Sequence, residues 1–163
     1  MNVQEVQEVL DDPVAQELLA SSEPAKLAYT WKDGTPRVVP IWFQWTGSEL
    51  VVASPVNAPK VSALESRPDV AVTIDSNSWP YHVLLLRGKA KVERTDHVVP
   101  EYASAAQRYA GPDFGQAWTS HLEASGAKFA RIGFRPTFAA IIDCETRFPS
   151  ATAPFFKSFL AAT

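Results

Sequence analysis

The sequence predicts a mainly β fold with flanking helices, arranged as a closed or partly closed antiparallel barrel. Three observations predict it. Seven short runs of strand character are separated by turn residues. Helical patterns occur at the start, briefly after the third strand, and as an insertion after the fifth. Strands and helices do not alternate regularly, which argues against a doubly wound parallel sheet.

Taken in order, Val3, Val6, Val9 and Leu10 recur at helical spacing, and Asp11-Asp12-Pro13 interrupts the pattern. Asp12 can cap a second helix whose first position is Pro13, where a missing N–H costs nothing. Val14, Leu18 and Leu19 give that helix an apolar face, so this arm is expected to pack on the barrel or on a partner subunit. A strand over 26–31 turns at Asp33-Gly34, where both central residues can take positive φ, into a strand over 37–45. Pro40 inside that strand implies an edge, a bulge or a bend, because proline cannot donate to a ladder. The third strand covers 50–54. A stiff loop with Pro55 and Pro59 follows, then a short helix from Lys60 that Asn57 can cap and Arg67-Pro68 ends. Strands over 70–75 and 82–92 come next, with Gly88 marking a bulge or a close backbone approach. From 96 to 126 the pattern is helical, broken at Gly111-Pro112, and two strands over 129–134 and 138–143 complete the set. The tail carries Phe148, Phe155, Phe156, Phe159 and Leu160, an apolar segment expected to be docked.

With 163 residues the chain fits one domain over 1–163, comprising a helical N-terminal arm (1–22), the helical insertion (96–126) and a docked C-terminal tail (144–163). A net charge of -3, without a basic stripe, argues against nucleic acid and against anionic membrane. No apolar segment approaches the roughly 20 residues of a membrane span, and no signal peptide is visible, so a soluble cytoplasmic protein is expected. The lone Cys144 excludes an internal disulfide and reads as a small buried hydrophobe. His82, His97 and His121 show no ligand spacing, so no metal site is expected. No Gly-x-Ser-x-Gly elbow, phosphate loop or Gly-x-Gly-x-x-Gly occurs, and no catalytic dyad can be named.

Residues 28–43, with Thr35-Pro36-Arg37-Val38-Val39-Pro40-Ile41-Trp42-Phe43 at their end, are followed by Leu50-Val51-Val52-Ala53-Ser54, then Lys60-Val61-Ser62-Ala63-Leu64 and Arg67-Pro68-Asp69-Val70. This order, with Gly88-Lys89-Ala90 further on, resembles the flavin-binding split barrel of the pyridoxamine 5′-phosphate oxidase family. The resemblance covers roughly residues 22–94 and recurs weakly at 129–143. It implies a split antiparallel β-barrel of the FMN-binding type and a homodimer with the cofactor at the subunit interface. It also implies a ring along Arg37, Val38, Val39 and Pro40, and a phosphate held by Ser54 and Lys60. Related members bind the deazaflavin F420, and some bind haem or have no demonstrated activity. The Arg-rich C-terminal ending of the oxidases themselves is missing, which counts against their particular activity.

Each residue also has a plainer reading. Lys60 in a first helical turn suits an anion, or is a solvated surface lysine. Ser54 can donate to a phosphate oxygen, or simply ends a strand. Arg37 offers a fork of donors, or flanks a turn. Trp79 and Tyr81, carried by a polar turn, could wall a flat cofactor, though aromatics in small barrels more often build core. The expectation is an FMN-dependent oxidoreductase acting on a small-molecule substrate. The alternatives are an F420-dependent reductase, or a non-catalytic cofactor- or ligand-binding dimer. The acidic arm, with six carboxylates and no Lys or Arg in residues 1–25, weighs towards FMN over the acidic F420.

Overall fold

The computed structural model describes residues 1–160, so 161–163, the end of the expected tail, lie outside the described residues. The elements are α1 (Val3–Leu10), α2 (Pro13–Ala20), β1 (Ala25–Thr30), β2 (Pro36–Ile41), β3 (Gln44–Trp45) and β4 (Leu50–Pro55). After them come α3 (Pro59–Ser66), β5 (Asp69–Asp75), β6 (His82–Lys89) and β7 (Lys91–Arg94). The chain continues through α4 (Pro100–Ala110), α5 (Pro112–Ala124), β8 (Phe129–Phe134), β9 (Pro136–Asp143) and α6 (Ala153–Leu160). A five-stranded sheet ordered β2-β1-β5-β6-β9 faces a four-stranded sheet ordered β3-β4-β8-β7, and every pairing is antiparallel. The two sheets form a split barrel.

Among the described residues nine strands replace the expected seven, because two long runs each cross from one sheet to the other. The run over 37–45 is interrupted at Trp42-Phe43. Phe43 drops into the core with no exposed surface, and the chain re-emerges as β3 in the second sheet. The run over 82–92 is interrupted at Ala90, whose N–H donates to the Pro68 carbonyl at 2.7 Å instead of to a strand. Just before it, the ladder shifts register between Arg87 and Gly88. A Cβ on Gly88 would lie 2.7 Å from the Arg135 carbonyl oxygen, so the expected close approach is real.

Pro40 takes the edge position, one of the three readings it allowed, and two local expectations change. β2 is an edge strand, where Pro40 costs no ladder bond, and it runs straight on through Pro40 to Ile41. At the first turn Gly34 alone takes positive φ (85°), while Asp33 accepts from the Thr35 N–H at 2.9 Å. The cap of α3 is Ala58, not Asn57: Pro59 takes the first helical position, and no side chain caps the N-terminus.

The arm docks on the chain's own barrel. Val6, Leu10, Ala15, Leu18 and Leu19 join Leu27, Leu84, Leu86 and Ile132 in one core. Asp12 caps α2 by accepting from the Val14 N–H at 2.9 Å. In the tail Phe148 stacks on Phe156 at 4.0 Å, and Phe155 and Phe159 are exposed. Arg131 on β8 ties the insertion down, donating to Glu101 of α4 at 2.8 Å and to Glu49 before β4 at 3.0 Å.

Candidate cofactor site

Ser54 closes the buried face of β4, and Lys60 is the second residue of α3. The five residues between them reverse the chain so that Lys60 Nζ donates to Ser54 Oγ at 3.0 Å. Ser54 is 3% exposed. Its oxygen accepts from Lys60, which leaves its own hydrogen free for another acceptor. Among the described residues Lys60 has no carboxylate partner, and burial pushes its ammonium below the ordinary lysine pKa of 10.5. A half-buried cation held only by a hydroxyl, at a helix N-terminus that no side chain caps, is short of one anion. Arg94 reaches the same loop. It grips Glu65 of α3 at 2.7 and 3.0 Å and donates to the Val56 carbonyl at 3.1 Å.

One residue back along β4, Ala53 turns to the opposite side and lines a pocket of about 380 Å³ with Pro24, Pro40, Ile41, Trp42 and Tyr102. Trp42 is held flat by stacking on Tyr109 at 5.3 Å and 8°. Tyr109 in turn donates to the Glu23 carbonyl at 3.0 Å. Arg108 fastens the same corner by donating to the Phe43 carbonyl and to Gln44 Oε1. The strand after Arg37 therefore reaches the pocket through Pro40 and Ile41, the point at which β2 ends.

The other expected residues are placed as follows. Arg37 is engaged locally, donating to Thr35 Oγ1 at 2.7 Å and lying over the Trp31 ring at 5.8 Å. Val39 packs on the core, whereas Val38 is 65% exposed on the other face of β2. Trp79 and Tyr81 are exposed and meet edge to face at 5.6 Å in the loop between β5 and β6. That loop is at the far end of β5 from α3, roughly 20 Å along the strand at 3.3 Å per residue. Within one chain they are not brought to Ser54 and Lys60.

Sequence reading missed Tyr102. Its helical spacing was visible, but nothing in the spacing says which side of the barrel the insertion covers. It also missed that the fold gathers His82, Asp143 and Glu145, with ligand atoms within 4.8 Å. Asp143 spends its oxygens on a turn, accepting from the Glu145 and Thr146 N–H groups and from Thr146 Oγ1 at 2.6 Å.

The family profile of pyridoxamine 5′-phosphate oxidase matches residues 12–137. Among solved structures, one named F420 reductase is 27% identical, with a TM-score of 0.61 over 77% of this chain and 94% of that one. A conserved hypothetical protein from Mycobacterium tuberculosis is 17% identical, covering 88% of this chain and 86% of that one, with a TM-score of 0.60. HutZ, the heme storage protein from Vibrio cholerae, is 15% identical over 81% of this chain and 93% of that one, at a TM-score of 0.58. The latter two likenesses are of fold. No curated protein matches the chain in sequence.

Proposed function

This chain belongs to the pyridoxamine 5′-phosphate oxidase family, and we propose that it is an oxidoreductase working with a phosphorylated flavin-type cofactor, FMN or the deazaflavin F420. The observation that carries this reading is Lys60: half-buried, bonded to Ser54 at 3.0 Å, and without a carboxylate partner among the described residues. Ser54 and Lys60 would hold the phosphate, and the Pro40–Trp42 corner would border the ring. When bound, such a cofactor supplies hydride chemistry. The protein's part is to bind it, orient it and shield it from water.

Two observations favour F420 over FMN. A solved relative named F420 reductase is 27% identical, and Arg94, paired with Glu65, adds a second cation beside the Lys60 loop. The acidic arm does not weigh the other way. Its helices pack on β9 and β6, whereas α3 packs on β1 and β7. Titrating the purified chain with each cofactor separately, by fluorescence, tests the reading. Saturable binding of F420, tighter than that of FMN, is expected. Failure to bind either would leave a non-catalytic scaffold.

A homodimer would complete the site. The five-stranded sheet turns Leu27, Val72, Leu84 and Leu86 into the core. Its other face carries Val38, Ala28, Ala71, Arg87 and Phe138 in one row, and Lys26, Thr73, Leu85 and Ala140 in the next. Val38, Ala71 and Arg87 are exposed there, and the others are partly so. A second copy is the occupant that would cover this sheet face, whose apolar residues flank Arg87 and Lys26, and carry Trp79 and Tyr81 towards another subunit's pocket. Sedimentation should show a dimer, and Ala71→Glu at the centre of that face should yield a folded monomer. A dimer that survives Ala71→Glu would place the interface elsewhere.

A further inference from the structure

The pocket beside β4 has a chemistry of its own. Its lining of Pro24, Pro40, Ile41, Trp42, Ala53 and Tyr102 includes no charged side chain. Its volume of about 380 Å³ lies in the range of small-molecule sites, and its aromatic walls are rigid. Trp42 is clamped by Tyr109, and Tyr102 packs on Phe129 at 5.0 Å. Such walls select for flat, uncharged molecules.

Two residues of this lining carry a polar side-chain group, Trp42 an indole N–H and Tyr102 a hydroxyl. Tyr102 on α4 accepts a hydrogen bond from Trp118 Nε1 of α5 at 3.1 Å, and among the described residues its hydroxyl has no other partner. A phenol that accepts from an indole keeps its single hydrogen for an acceptor elsewhere. The Trp118 contact is built in by close helix packing. A Cβ on Gly115 would come within 2.5 Å of the Gln107 backbone, so the glycine lets α5 lie directly against α4, and Trp118 follows one turn later. Thr119 seals the crossing by donating to the Gly115 carbonyl at 2.8 Å.

We propose that this pocket is the substrate subsite, that it takes a planar, uncharged molecule bearing an acceptor oxygen, and that Tyr102, held by Trp118, donates to that oxygen. Its role as a substrate site rests on the oxidoreductase reading, but the pocket's selectivity can be measured without any cofactor. The probes are 9-fluorenone and fluorene, two flat uncharged tricycles that differ by one carbonyl oxygen. Quenching of tryptophan fluorescence in the full chain should report fluorenone binding several-fold tighter than fluorene, the size of one hydrogen bond. Tyr102→Phe should remove that preference while fluorene binding stays as it was. Trp118→Phe should reduce the preference, because the hydroxyl is then no longer held. The preference returning in full in Tyr102→Phe, or neither probe binding the wild-type chain, would overturn the inference. Thermal melts of both variants confirm that the fold is intact. If the chain binds neither FMN nor F420 yet keeps the Tyr102-dependent preference, the oxidoreductase reading fails and the pocket stands. If it binds a cofactor but shows no such preference, the pocket assignment fails and the cofactor reading stands.

Discussion

Replacing Lys60 by alanine should weaken cofactor binding by about 1.5–3 kcal/mol, roughly ten- to a hundredfold, the loss of one charge-assisted hydrogen bond to a phosphate. The size follows from what the ammonium lacks: it touches Ser54 Oγ at 3.0 Å and no carboxylate among the described residues. Lys60→Arg keeps the charge and should recover part of the affinity. Fluorescence titration with F420 and with FMN measures both variants, and an unchanged Kd in Lys60→Ala would reduce the residue to a packing role. The pH dependence has a definite sign. Burial lowers the Lys60 pKa, so the free protein holds this proton less tightly than an unfolded chain does. Its stability contribution therefore rises with pH between the lowered pKa and the ordinary value of 10.5. A bound phosphate favours the charged form, so cofactor affinity should fall as pH rises through the lowered pKa. Both trends should flatten in Lys60→Met.

Phe43→Ala should cost about 3–5 kcal/mol of folding stability, the range for truncating a fully buried aromatic. Phe43 has no exposed surface, Tyr109 meets it edge-on at 6.3 Å, and the Arg108 guanidinium covers it at 4.9 Å. It is also the point at which the chain leaves one sheet for the other, so a cavity there loosens β2, β3 and α4 together. Urea unfolding of Phe43→Ala and Phe43→Leu measures the effect, with leucine expected to retain about half of the loss-prone contacts. A cost below about 1 kcal/mol for alanine would show that the crossing is held by the backbone and Arg108 instead.

Much of this was legible in sequence, and the limit has a physical form. Residues 50–54 and 129–134 were readable as strands because each is a short apolar run bounded by turn residues. Gly88 was readable as a close approach because few other roles require a glycine inside a strand. What alternation cannot encode is which sheet a strand joins. The crossings at Phe43 and Ala90 are invisible in runs of uniformly high β propensity, since the buried phenylalanine and the small alanine are both ordinary strand residues. The Ser54–Lys60 contact was reachable because it spans one loop and one helical turn. Tyr102 was not, because its neighbours in the pocket come from β2 and β4, whose docking against α4 depends on the fold as a whole.

The sheet order carries a consequence for how the chain is made. β4, five of whose six residues are buried, pairs with the two-residue β3 on one side and with β8 on the other. Phe129, the partner of Pro55, emerges from a ribosome about 75 residues later, on the order of 4–15 s at ~5–20 residues per second. Throughout that interval one apolar edge lies open to other nascent chains. A cation a few residues beyond such an edge opposes that pairing. Lys60, five residues beyond the end of β4, stands where such a flanking charge acts.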